Sequence, residues 1–224
     1  MKHADLALGL AGVLVAAGSA AAQTPASPAR AKELSAGVVW AGPLSFGSAN
    51  ADLIRPDGSS LTLFETKNSL GPGFGVRAGL AFEVRRGLWV EVVPGWTRAS
   101  LRTEIGRDAE NADIGPIRAR VMRFSIEGAA LYYFRVRGKT AWFARGGGGW
   151  AKELADGNAL AEDAVTGSGG LGLRHWWREG QRGKTKSLGL RAEFRLDLRR
   201  GGLTLAERGW RAAPAAVGHL IVGF

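Results

Sequence analysis

Apolar side chains recur at every second position along most of this chain, and the positions between them carry glycine and charge. Successive side chains on a strand point to opposite faces, so this period marks strands with one oily and one polar side. The contrast is sharpest from Ser187 to Leu198. There Leu188, Leu190, Ala192, Phe194, Leu196 and Leu198 alternate with Ser187, Gly189, Arg191, Glu193, Arg195 and Asp197. A helix would scatter these residues around its circumference. From Leu70 to Val84 the even positions are Leu70, Pro72, Phe74, Val76, Ala78, Leu80, Phe82 and Val84, and the odd ones are mostly glycine, with Arg77 and Glu83.

Six further segments repeat the theme. Leu34 to Trp40 makes a first strand, Leu88 to Trp96 a third, Met122 to Arg135 a fourth and Ala213 to Phe224 the last. Thr140–Lys152 and Val165–Trp177 are so rich in glycine that they rest on their neighbours. Between the eight segments, long polar stretches (Pro43–Asn68, Arg102–Arg118, Glu153–Asp163, Arg199–Arg211) alternate with shorter turns at Arg85-Arg86-Gly87, Arg137-Gly138-Lys139 and Arg178–Thr185. Long loops on one side and short turns on the other are the habit of an antiparallel up-and-down barrel in a membrane.

Alternation alone does not say which face is inside, because a soluble lipocalin-like barrel turns its apolar face inward around a ligand. Three features favour charge inside. Glycine shares the charged face, as at Gly71, Gly73, Gly75 and Gly79, and an eight-stranded barrel is so narrow that long lumenal side chains need small neighbours. Opposite charges recur together on that face, which suits buried ion pairs. The predicted lumenal set is Arg77, Glu91, Arg123, Glu127, Arg145, Arg174, Arg191, Glu193, Arg195 and Asp197. Thirdly, aromatics on the oily face gather near segment ends, with Trp40, Phe74, Trp96, Phe124 and Trp150 towards the long loops and Phe82, Tyr132, Phe134, Trp142, Trp177 and Phe224 towards the turns. Two such belts mark the two membrane interfaces.

Composition refines this picture. Of the 224 residues, those from Met1 to Ala22 read as an export leader, with an apolar run Leu6–Ala17 and small residues before Gln23. Residues 23–32 form a Pro- and Ala-rich mature tail, leaving 33–224 for the barrel. There is no cysteine, so neither disulfides nor thiolate metal sites are available. The formal charge of +10 is spread among acids rather than clustered, which argues against nucleic acid and for an anionic lipopolysaccharide surface.

With a leader, eight alternating segments and a terminal aromatic preceded by Leu220 and Val222, the chain resembles the small outer-membrane β-barrel proteins of the OmpA and OmpX type. The resemblance covers residues 33–224 and is one of architecture. It implies an eight-stranded antiparallel up-and-down transmembrane β-barrel, acting as a monomer among outer-membrane lipid and lipopolysaccharide. In that family a C-terminal aromatic with apolar residues at alternate preceding positions is the signal read by the barrel assembly machinery. Leu220, Val222 and Phe224 match those positions, although Val222 stands where an aromatic is common.

Candidate chemistry is sparse. Gly167-Ser168-Gly169-Gly170-Leu171-Gly172 fits a dinucleotide-binding pattern, with Glu193 some distance on, but no helix follows it as phosphate binding requires. Beyond the leader the histidines are His175 and His219; with Ser168 they are what a lipid-modifying enzyme would have to use, and no catalytic spacing joins them. Acids in the lumen face enough arginines to be ion pairs rather than metal ligands. No cofactor is implied. Eight strands filled with arginine leave little room for a diffusion pore. The expected function is therefore a non-enzymatic barrel that displays four loops, with a lipocalin-like binder and a lipid-modifying enzyme as the alternatives.

Overall fold

A computed structural model describes residues 32–55, 58–106, 115–155, 160–179, 186–202 and 209–224. The predicted leader and all of the tail except Lys32 lie outside them. The described residues form ten antiparallel strands: β1 (Lys32–Ala41), β2 (Leu44–Ile54), β3 (Ser60–Leu70), β4 (Gly73–Arg85), β5 (Leu88–Gly106), β6 (Ile117–Arg137), β7 (Thr140–Ala155), β8 (Leu160–Arg178), β9 (Ser187–Gly201) and β10 (Arg211–Gly223). Eight of them close a ring in the order β1-β4-β5-β6-β7-β8-β9-β10. The seam is the β1–β10 ladder, which sets Leu34 opposite Val222 and Trp40 opposite Ala216. Closure leaves the ring no unpaired edge, which is the condition for strands to cross a bilayer.

Parity decides which face is which. On β9 the odd positions Ser187, Gly189, Arg191, Glu193 and Arg195 are buried in the lumen, and the leucines and Phe194 between them are exposed on the outside. The same sorting holds around the ring, so the apolar face points outward, opposite to a lipocalin. Trp40 pairs with Phe74, and Trp96 with Phe124, in one aromatic belt near the long loops. Phe82, Phe134, Trp142, Trp177 and Phe224 lie exposed near the short turns. The β4–β5 and β6–β7 turns are tight, and Gly87 and Gly138 take the left-handed φ values of 79° and 57° that other residues avoid.

The stretch Pro43–Asn68, expected as a polar loop, is instead mostly hairpin. β2 and β3 continue β1 and β4 beyond the Gly42-Pro43 and Gly71-Pro72 pairs, with Leu44 opposite Leu70 just as Ala41 is opposite Gly73. Proline cannot donate to a ladder, and the inward parity is odd on β1 and β4 but even on the adjoining ends of β2 and β3. Leu70, expected on the oily face with Phe74, is therefore buried inside with Leu44, Phe46 and Val121. Its strand then pairs with the upper part of β5 from Glu65–Gly106 to Leu70–Leu101, whereas among the described residues β2 has no ladder on its far side.

Candidate functional site

The interior is filled rather than open, in three levels. At mid-height four carboxylates and four guanidiniums interlock. Arg191 bonds Glu33 and Glu193 at 3.2 Å each and also contacts Glu91, with its own side chain fully buried. Arg145 bonds Glu127 at 2.8 Å and lies 3.7 Å from both Glu91 and Glu193. Arg77 meets the other oxygen of Glu127 at 2.5 Å, and Arg174 meets Glu33 at 3.3 Å. Each buried charge thus has an opposite charge within reach, which is the condition for tolerating it away from water.

Glycine makes the space for this. A Cβ on Gly79 would fall 2.5 Å from the Ser35 hydroxyl and 2.6 Å from a Glu91 oxygen, so β4 must be bare where that carboxylate sits. Ser168 likewise approaches the barrel's central acid, with its hydroxyl against Glu127 and 2.8 Å from Arg145. His219 is buried beside Arg191, whose Nη2 donates to Nδ1 at 2.8 Å. A guanidinium only donates, so the imidazole is neutral at Nδ1 and carries its hydrogen on Nε2.

Below this lattice, at the short-turn end, lies an aromatic plug of Trp89, Leu131, Tyr133 and Phe143, all buried, with Tyr133 and Phe143 centroids 5.3 Å apart. Arg174 sits over it, its guanidinium carbon 3.9 Å from the Tyr133 ring centre and 5.2 Å from that of Trp176. The rings shield an arginine that already pairs with Glu33, joining plug to lattice.

Above the lattice, Arg195 bonds Asp197 at 2.9 Å and lies 3.6 Å from Glu127. Glu153 is clasped between Arg123, at 2.8 Å, and Arg199. Phe46 of β2 covers Arg199 at 5.0 Å and is itself buried. A cavity of about 30 Å³, enough for a water or two, is lined here by Leu44, Leu70, Val121, Arg123 and Arg199 among others.

All ten residues expected in the lumen are thus placed there. The expectation omitted Glu33, Glu153 and Arg199, and it assigned no role to the inward Trp89, Tyr133, Phe143 and Trp176. Parity would have found most of them, since Glu33 shares its face with Ser35 and Gly37. The catalytic alternative gains no geometry. His175 lies on the other face bonded to Thr140 at 2.8 Å, and His219 and Ser168 are bonded to Arg191 and to Glu127 with Arg145. Among the described residues no group of three acids or histidines is arranged to hold a metal.

A closed ring with an oily outside, two aromatic belts and a charged, packed inside defines an eight-stranded outer-membrane β-barrel. Leu220 and Phe224 belong to its oily side, and the Phe224 amide donates to the Lys32 carbonyl at 3.1 Å across the seam. The fold is similar to that of Neisserial surface protein A, 13% identical, with 86% of this chain and 97% of that one covered at a TM-score of 0.52. It is also similar to the outer membrane protein OprG from Pseudomonas aeruginosa, 11% identical, covering 88% and 95% at a TM-score of 0.53. No family model and no curated protein matches the sequence.

Proposed function

We propose that this chain is a non-enzymatic, non-conducting outer-membrane barrel that serves as a rigid anchor for surface-displayed strands, foremost the β2–β3 hairpin. The observation that carries this reading is the filled lumen: Leu131, Phe143, Arg191, Glu91 and Glu153 are all almost fully inaccessible in a ring only eight strands wide. The strands of β5 and β6 run on past the upper belt, and the hairpin rises beside them, so the bulk of accessible polar structure is at the long-loop end. In barrels of this architecture that end faces outside. Leu220, Val222 and Phe224 fit the role of assembly signal, and the barrel acts as a single copy.

The test is fractionation with a gel comparison and a flux assay. The full chain should extract from outer membranes only with detergent, migrate differently before and after boiling, and admit no sugar into reconstituted liposomes. Solubility without detergent ends the barrel reading. Sugar flux ends the anchor reading in favour of a pore.

A further inference from the structure

Charge inside the lumen is balanced at mid-height and unbalanced at the mouth. In the lattice, Arg77, Arg145, Arg174 and Arg191 are matched by Glu33, Glu91, Glu127 and Glu193. Above it Arg123, Arg195, Arg199 and Arg211 face inward, and among the described residues the acids at their level are Glu153 and Asp197. Glu162, next on the inward row of β8, is exposed at the rim. Asp197 turns both oxygens on Arg195, at 2.9 and 3.3 Å, and Glu153 is shared between Arg123 and Arg199. Arg211 has no ion pair among the described residues; its Nη1 donates to the Ser45 carbonyl at 3.0 Å.

This surplus borders the mouth cavity. Thr97, Arg123, Asp197 and Arg199 line its polar side, and Ala99 and Val121 part of its apolar side. Arg199 is only 5% exposed, and its Nη1 meets no acceptor among the described residues. Nε of Arg211 and Nδ2 of Asn68 are likewise buried without one. Arg211 stands directly opposite Arg199 on the β9–β10 ladder, where like charges repel. Its guanidinium would come 3.8 Å from a Cβ on Gly47, the ladder partner of Asn68, so the three groups lie around one side of the mouth. A buried donor left without an acceptor costs stability, and a charged one costs more. Three such donors, two of them cationic, call for a guest that only accepts and is negative.

We infer that the mouth cavity binds a monatomic halide, chloride or bromide, between Arg199 and Arg123, with the Thr97 hydroxyl donating and Arg211 adding a second shell of charge. Size sets the class: at about 30 Å³ the cavity has room for a single small ion and excludes sulfate and phosphate. Desolvation sets it further, because the cost of leaving water rises as an ion shrinks, which rejects fluoride. Asp197 does not oppose such an ion, since Arg195 neutralises it from the other side. Phe46 lies over Arg199, and Arg211 holds Ser45, so an ion here fastens the base of the β2–β3 hairpin to the ring. The site is additional to the anchor reading and depends only on the packed barrel.

Detergent-purified full chain in sodium gluconate at fixed ionic strength is titrated with chloride, and binding is read from broadening of the chlorine NMR line. Wild type should broaden the line; bromide should reverse the broadening, and fluoride and sulfate should not. Arg199→Gln, which removes the buried donor, should weaken chloride about tenfold or more. Arg211→Gln, which leaves both partners of Glu153 in place, should weaken it by roughly tenfold as well. Ala213→Leu fills the cavity without changing charge and should abolish the broadening. An unboiled gel confirms that each variant is folded; if Arg199→Gln is not, Arg211→Gln and Ala213→Leu must still show their losses. A heat-shifting barrel that leaves the line unbroadened, or whose variants broaden it as wild type does, overturns the site and leaves the barrel reading intact. Reversal by sulfate as readily as by bromide shows ions gathered on the outer surface and overturns it equally. A chain that shows no heat shift overturns the barrel reading itself.

Discussion

Arg191 on β9 and Glu33 on β1 meet at 3.2 Å behind the seam strand β10, both fully buried and 158 residues apart in sequence. The same guanidinium also reaches Glu91 and Glu193, so one cation bridges three acids from three strands. Arg191→Ala would leave those carboxylates short of a partner away from water. Urea unfolding of the lipid-reconstituted barrel should register a loss of about 3–5 kcal/mol, because an uncompensated buried charge costs that much. A loss below about 1 kcal/mol is what an exposed pair would give, and it would mean that water reaches the lattice.

Glycines on the two faces predict opposite outcomes for the same substitution. A Cβ on inward Gly149 would lie 2.0 Å from the Ile126 carbonyl oxygen, so Gly149→Ala must push β7 away from β6. Forcing atoms into a packed interior costs about 1–3 kcal/mol. Outward Gly128 is on the neighbouring strand and its added Cβ meets nothing, so Gly128→Ala should be neutral or stabilise by about 0.5 kcal/mol through the less flexible unfolded chain. Equal effects from the two variants would contradict the assigned inward and outward faces.

Tyr133 ties plug to lattice, stacking near Trp89 at 6.2 Å and Phe143 at 5.3 Å while Arg174 lies over its ring. Tyr133→Ala should therefore cost about 3–5 kcal/mol for a large buried aromatic, and Tyr133→Phe should retain most of that stability because the ring contacts remain. The check is the urea midpoint of each variant alongside tryptophan emission, which should shift to longer wavelength only in the alanine variant as water reaches Trp89. Identical emission in both would show that the ring does not seal the short-turn end.

Much of this molecule was legible from period alone. In β9 both faces are chemically distinct at every position, so strand, register and inward face all follow from Leu188 to Leu198. The Gly-rich β7 and β8 could be placed only by counting strands, because glycine has no side chain to declare a face. The hairpin β2–β3 escaped notice for a physical reason. Its segment Gly47–Asn50 is small and mostly polar, and the change of parity at Gly42-Pro43 and Gly71-Pro72 breaks the period on which the inference depends. The same breaks misplaced Leu70. Glu33 and Glu153 were missed as partners because they lie at segment ends, Glu33 just before Leu34 and Glu153 at the start of a stretch expected as a loop.

Phe46 offers a test of how the hairpin is held. It is the aromatic of β2 that turns inward, buried with Leu44, Leu70 and Val121 and lying over Arg199, which in turn clasps Glu153. Beyond it, among the described residues, β2 has no ladder on one side, and the β3–β5 ladder runs only from Glu65 to Leu70. A two-stranded ribbon alone is marginally stable in water, so the contacts at the base should govern how often the whole hairpin opens. Phe46→Ala removes the largest of them without touching the mid-height lattice. Chymotrypsin cleavage after partly exposed Phe64 of β3 should then accelerate, by about tenfold if roughly 1.4 kcal/mol of local anchoring is lost. The boiled and unboiled mobilities of the intact barrel should stay those of wild type. If cleavage at Phe64 is no faster, the hairpin is held by its ladder to β5 and Phe46 contributes only to closing the mouth.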